Sequence, residues 1–263
     1  MDNKVKNFKL DRFSPSSIST YLNCPLLFYY YYVSGIVLPQ KQIHLLFGGA
    51  VHEAIEGMYN KQEPFKLFDK HFIKNKLLDE EKELHEEYCG LGYEMIRNYL
   101  KVHPTLNSLY GLDEGQSELW IRRKVINPLT GEESSIPMTG KIDRLTNTHR
   151  IVEYKTSAKK WDPNDVSYRL QTLLYNLWHY AEYQEMPLET LYIVLLKKYK
   201  KVGRGETYQV LSNHCTLDDL ASTFEEIEII INKINNGEFE RPRGYHPKWC
   251  DCFRYEDALN FSN

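Results

Sequence analysis

The sequence predicts an α/β fold: a central mixed sheet flanked by helices, with a helical layer at the N-terminal end. Three observations carry this reading. Apolar residues recur at helical spacing through residues 15–115. From Gln116 the period shortens to that of strands. After those strands the chain alternates helix, strands and helix, an order that packs helices onto a sheet. At 263 residues with 42% hydrophobic content, the chain is long enough to bury a substantial core as one domain spanning residues 15–263.

Residues 1–14 read as a flexible lead. Ser14-Pro15-Ser16-Ser17 then supplies N-cap chemistry for a helix running through Ile18, Tyr21, Leu22, Leu26 and Phe28–Tyr32. The four tyrosines from Tyr29 to Tyr32 cover every face of that helix, so part of the run belongs to a core. A second helix is expected over Leu46–Tyr59, with Val51, Ile55 and Met58 on its apolar face. Residues 64–101 are charged and helical in pattern, with a break expected near Cys89-Gly90-Leu91-Gly92. Ser117–Ile126 reads as a strand and Asn127-Pro128-Leu129-Thr130-Gly131 as a turn. Val166–Tyr183 is expected to be a helix, with Leu170, Leu173, Leu174, Leu177 and Trp178 on one side. Strands follow at Leu188–Leu196 and Thr207–Ser212, joined by a basic hairpin from Lys197 to Arg204. A helix over Leu217–Asn235 precedes a proline- and aromatic-rich tail at residues 241–263.

The chemistry concentrates between Met138 and Ser157. Gly140–Leu145 and Arg150–Thr156 are rich in Ile, Val and Tyr and flank a polar turn, Thr146-Asn147-Thr148-His149, so they read as a β-hairpin. Side chains two apart on a strand share a face, so Glu153 and Lys155 project together, and the hairpin brings Asp143 beside them. Two carboxylates and an ammonium in one place form a seat for a divalent metal and a phosphate. Taken singly, Asp143 is an ordinary strand-end residue and Glu153 with Lys155 an ordinary solvated pair. The net charge of −3 excludes a polycation, so nucleic-acid binding would use a local basic groove and metal. The pair Lys159-Lys160, followed by Trp161, lies nearest the presumed site.

With these residues in view the sequence resembles the PD-(D/E)XK nuclease superfamily, specifically its RecB-like exonuclease branch. The elements stand in the branch's order. Ser16, Ser19, Tyr21, Cys24-Pro25, Phe28 and Tyr30 match its opening helix, and Gly48-Gly49-Ala50-Val51-His52-Glu53 its glycine–histidine helix start. Gly140-x-x-Asp143, Glu153-Tyr154-Lys155-Thr156 and Gln171-x-x-x-Tyr175 complete the set. The resemblance covers residues 14–252 and implies a restriction-endonuclease-like core. It implies that His52, Asp143 and Glu153, with the backbone carbonyl of Tyr154, hold Mg²⁺ or Mn²⁺. It further implies that Lys155 orients the attacking water and that Gln171 and Tyr175 shape the site or touch the substrate.

The same branch includes members with a four-cysteine iron–sulfur cluster. Cys24 occupies the first cluster position, but the tail offers only Cys250 and Cys252, while Cys89 and Cys215 fall outside the pattern. A cluster needs four ligands, and His246 is a loose candidate for the fourth. The expectation is therefore a degenerate or lost cluster site, with zinc binding as the lesser alternative.

The expected function is metal-dependent hydrolysis of DNA phosphodiester bonds at ends or on single strands, in recombination, repair or phage DNA metabolism. No phosphate-binding Gly-x-x-x-x-Gly-Lys-[Ser/Thr] run occurs, so any helicase or recombination protein would be a separate partner. The alternatives are a DNA-binding or end-processing subunit, as in CRISPR spacer acquisition, and an RNA nuclease. No apolar run approaches the ~20 residues of a membrane span. The irregular cysteine spacing argues against a disulfide framework, so a reducing, intracellular setting is expected.

Overall fold

Five strands form one mixed sheet in the order β1-β2-β3-β4-β5. They are β1 (Gly115–Arg123), β2 (Met138–Thr146), β3 (Arg150–Ser157), β4 (Glu189–Leu196) and β5 (Tyr208–Asn213). The computed structural model describes residues 8–36, 38, 42–163, 169–197, 206–242, 244 and 250–260, with the side chains of 257–260 excepted. β3 and β4 run parallel and every other neighbouring pair antiparallel. The parallel pair requires a crossover, and the helix Leu170–Tyr183 lies within it.

The expected first helix is broken. It consists of α1 (Pro15–Asn23), α2 (Pro25–Phe28) and a π-helical turn over Tyr29–Ser34 that ends at Gly35 in the left-handed region. The cause is Pro25, which pushes the preceding residue out of helical geometry. Cys24 is accordingly extended, with φ −159 and ψ 103, and its sulfur caps the new helix by accepting from Leu27 N at 3.4 Å. Of the four tyrosines, Tyr30 is buried while Tyr31 and Tyr32 are exposed. Residues 8–14 depart from the flexible lead expected of them. Phe13 and Leu10 are buried, and Phe13 N donates to Pro137 O while Thr139 N donates back to Phe13 O.

α3 (Ile43–Tyr59) starts one turn earlier than the expected Leu46. α4 (Pro64–His71) follows, then short 3₁₀ turns at Lys74–Lys76 and Asp79–Leu84, then the long α5 (His85–Tyr110). The break thus falls at residues 72–84, and the chain runs helical straight through Cys89–Gly92. Glycine at position 92 answers a packing demand: a Cβ there would lie 2.2 Å from the ring of Phe68 on α4. Gly57 plays the same part on α3, where a Cβ would meet Leu67 at 1.9 Å.

α6 (Leu170–Tyr183), α7 (Leu217–Asn235) and α8 (Cys252–Asn260) complete the fold. The expected start of α6 at Val166 and the cationic hairpin beyond Lys197 lie outside the described residues. Thr216 and Asp219 form a reciprocal capping box that fixes the start of α7. One apolar core joins α1, α6 and α7 to Ile121, Met138, Ile142 and Ile151; the other joins α3, α4 and α5 to Val152, Tyr154, Leu191, Ile193 and Leu195. The sheet therefore lies between two helical layers. Among the described residues no helix is long and apolar enough to cross a membrane.

Candidate active site

The hairpin that carries the candidate residues is only partly zipped. β2 and β3 are in register at Arg144↔Val152 and Leu145↔Ile151, beside the turn, and the ladder stops there. His149 in that turn takes a left-handed φ of 59. Where ladder pairing ends, the Asp143 side chain takes over: its Oδ2 accepts from Tyr154 N at 2.8 Å. The loss of pairing opens space at the sheet for the carboxylates, and the Asp143–Tyr154 bond keeps the two strands together across it.

Asp143 and Glu153 are buried, 8% and 1% exposed. The Lys155 ammonium lies 2.9 Å from Glu153 Oε2, and Gln171 Nε2 on α6 donates to the same oxygen at 2.8 Å. The second oxygen, Glu153 Oε1, is buried without a hydrogen-bond partner. Burial and the neighbouring Asp143 push the Glu153 carboxyl up to about 8. Burial opposes the charge on Lys155, but Glu153 and Asp143 outweigh it and hold that ammonium more tightly protonated than an ordinary lysine. From α3, His52 Nδ1 reaches to 3.6 Å from Asp143 Oδ2. Burial, reinforced by Lys155 and Lys141, lowers the His52 pKa, which favours the neutral imidazole. Tyr175 donates its hydroxyl to Lys141 O at 2.8 Å, and Gly140 lets the two elements meet, since a Cβ there would lie 3.1 Å from the Tyr175 ring.

Sequence reasoning missed four residues of this region. Glu56, one turn beyond His52 on α3, is 3% exposed and converges with His52 and Asp143, one ligand atom from each lying within 4.8 Å of the others. Burial, a hydrogen bond with Glu118 and the Asp143 charge push its carboxyl up to about 9. Glu118 is held below its ordinary value by hydrogen bonds from Glu56 and Lys141, so the proton of this acidic pair sits on Glu56. Lys141 bridges them, its ammonium on Glu118 Oε1 and 3.5 Å from Glu56 Oε2. The i, i+4 spacing of His52 and Glu56 was legible as one helix face. Glu118 was not, because it depends on a left-handed φ of 52 within β1. The fourth, Arg169, precedes α6 and lines the cleft.

The cleft has a volume of about 640 Å³. Lys141, Lys155, Gln171 and Tyr175 line it, with Ser14, Ser16 and Ser19 from the start of α1. Lys159 and Lys160 are not brought to it. Lys160 pairs with Glu206 and faces a separate groove beside Tyr110, while the Lys159 carbonyl accepts from Ser157 Oγ at 2.6 Å. Lys197, the first residue of the expected cationic hairpin, lies over the rings of Phe47 and Tyr88 at 4.6 and 5.2 Å.

The donor set fits a divalent cation. Mg²⁺ and Mn²⁺ take carboxylate oxygens, and an imidazole is accepted by Mn²⁺ more readily; the partnerless Glu153 Oε1 is the kind of buried lone pair such an ion would satisfy. His52, Glu56 and Asp143 form a group whose ligand atoms lie within 4.8 Å of one another, and Asp143 in turn acts on the Glu153 carboxyl.

A family model described as the PD-(D/E)XK nuclease superfamily matches residues 12–255. The chain belongs to that superfamily. A solved structure named "Putative exonuclease" from Eubacterium rectale is 18% identical, covering 93% of this chain and 88% of its own, with a TM-score of 0.59. That likeness supports the restriction-endonuclease-like α/β fold. A second solved structure, SSO0001, is 8% identical over 85% of this chain and 78% of its own, at a TM-score of 0.35.

The three remaining predicted ligands also converge. Cys24, Cys250 and Cys252 are buried free thiols whose sulfurs lie within 4.8 Å of one another. Of the other two cysteines, Cys89 lies against His85 at 3.7 Å and Cys215 against Asn176 and Asn213, so neither completes a set of four. His246 lies outside the described residues.

Proposed function

We propose that this PD-(D/E)XK nuclease is a Mg²⁺- or Mn²⁺-dependent deoxyribonuclease that removes nucleotides from ends or single strands. The observation that carries this reading is the Glu153 carboxylate, with one oxygen held by Lys155 and Gln171 and the other buried and bare beside Asp143. A bound divalent cation supplies charge neutralisation at the phosphate and a lowered pKa for coordinated water.

The protein's own groups have distinct parts. His52, Asp143 and Glu153 would hold the ion, with Glu56 next to them. Lys155, a persistent cation fixed by Glu153, stands ready to stabilise charge that grows on a phosphate oxygen, where a preorganised donor has most effect. Gln171 and Lys155 together keep the Glu153 carboxylate from turning, and Tyr175 fixes β2 against α6. All five cysteines are free thiols, which supports a reducing compartment.

The test is digestion of end-labelled DNA and RNA strands and of covalently closed circles, each with Mg²⁺, Mn²⁺ or EDTA. The expected result is metal-dependent trimming of linear DNA with closed circles left intact. Cutting of circles would assign endonuclease action, trimming of RNA alone would replace the substrate, and no cutting in any metal would overturn the reading.

A further inference from the structure

Three cations line the cleft: Lys141, Lys155 and Arg169. Two of them are already spoken for. Lys141 is held by Glu118 and Glu56, and Lys155 by Glu153. Among the described residues, Arg169 has no carboxylate partner, and its Nε is a buried donor with no hydrogen bond. Burying a guanidinium N–H without an acceptor is costly unless a ligand supplies one.

Arg169 is nonetheless well fixed. Its guanidinium carbon lies over the Trp161 ring, 3.8 Å from the centroid, a cation–π contact. Trp161 is pinned in turn: its backbone N–H donates to Gln209 Oε1 at 2.9 Å, and its carbonyl accepts from Gln209 Nε2 at 3.0 Å. A guanidinium held over an indole by its face can still offer N–H donors to an acceptor, and its fork of donors matches the paired oxygens of a phosphate. Two residues on, Gln171 touches Glu153, and both Arg169 and Gln171 line the same cleft. The hydroxyl-bearing Ser14, Ser16 and Ser19 line the cleft with it.

We propose that Arg169, shelved on Trp161, is a phosphate-binding subsite for a strand phosphate adjoining the one that is cleaved. The inference rests on the nuclease reading and adds to it a site that grips the strand beside the chemistry. Arg169 acts here as a binding residue rather than a reacting one.

The experiment is oligonucleotide binding across a salt series, with Ca²⁺ replacing Mg²⁺ to hold turnover, on wild type, Arg169→Ala and Arg169→Lys. Thermal unfolding of each variant is run alongside. Arg169→Ala should bind about tenfold more weakly and flatten the slope of log K against log salt by roughly 0.7, the loss of one phosphate contact on a single strand. Arg169→Lys keeps the charge but not the fork, so it should keep the slope while still losing affinity. Strands carrying a 5′-phosphate, a 3′-phosphate or neither separate the sources. A loss confined to one phosphorylated end assigns a terminal phosphate, and a loss on all strands assigns an internal one. Wild-type affinity and slope in folded Arg169→Ala would overturn the subsite while leaving the nuclease reading in place. A wild-type protein that neither binds nor cuts any strand would overturn both.

Discussion

Tyr154 donates its backbone N–H to Asp143 Oδ2 at 2.8 Å, beyond the point where β2 and β3 cease to pair. Asp143 therefore does two jobs, tying the strands together and presenting a carboxylate to the cleft. Asp143→Asn preserves an acceptor oxygen for that bond but removes the charge. It is expected to unfold at nearly the wild-type denaturant midpoint while losing cleavage by at least ~100-fold, the scale of losing one preorganised electrostatic group. Asp143→Ala should lose activity similarly and also be destabilised by about 1–3 kcal/mol, because the Tyr154 N–H is left buried and unpaired.

The side chain of Tyr154 has a separate task. Its hydroxyl meets Tyr59 at 2.7 Å and Tyr99 at 3.1 Å, with the Tyr59 ring 3.9 Å beneath the buried Arg144 guanidinium. Tyr154→Phe is expected to cost about 1 kcal/mol, because Tyr59 and Tyr99 lose the hydroxyl they share but keep their own contact at 2.6 Å. Cleavage rates at saturating metal should remain near wild type, since only the backbone of Tyr154 stands at the site. Urea denaturation and initial-rate measurements on the same preparation check both halves.

Gln171 touches the proposed metal ligand and no reacting group. Its loss in Gln171→Ala frees Glu153 Oε2 from one of its two donors. Partners that orient metal ligands typically contribute 10–100-fold to affinity or activity, so cleavage should fall by about that factor at limiting metal. Raising the metal concentration should recover most of it. A deficit that persists unchanged at saturating metal would instead place Gln171 on the substrate.

Away from the cleft, His179 is wholly buried, with Nδ1 2.9 Å from Glu185 O and Nε2 2.9 Å from His149 Nδ1. The first contact makes Nδ1 the protonated nitrogen, so Nε2 accepts from His149. Burial lowers the His179 pKa below its ordinary 6.5. The unfolded chain then binds the proton more readily than the folded one. This contribution to stability is complete above about pH 6.5 and is lost as the pH falls below it. His179→Gln should show a shallower decline of stability between about pH 7 and pH 5 than wild type. Equal slopes in denaturation series at stepped pH would show that His179 is not the group responsible.

Much of this was legible because it is local. The start of the helix at Leu217, the Asn127–Gly131 turn and the alternation around Asp143 and Glu153 depend on neighbouring residues alone, and each lies within a few positions of where the sequence predicts it. The misplacements have tertiary causes. Gly92 resembles a helix breaker until Phe68 is seen against it. Lys159 and Lys160 look like substrate contacts by proximity in sequence, yet Lys160 is drawn to Glu206. Glu118 enters the cluster through a left-handed residue in a strand, which composition does not announce. Arg169 acquires meaning only from Trp161 beneath it.

The central claim is that Glu153, between Lys155 and Asp143, is a ligand of the ion on which cleavage depends. The most direct measurement is digestion of an end-labelled DNA strand by wild type and Glu153→Gln across a Mg²⁺ and Mn²⁺ series, with EDTA as the blank. The predicted result is metal-dependent cleavage by wild type, abolished by EDTA, and no cleavage by a folded Glu153→Gln at any metal concentration. Wild-type rates from Glu153→Gln, or cleavage that survives EDTA, would contradict it.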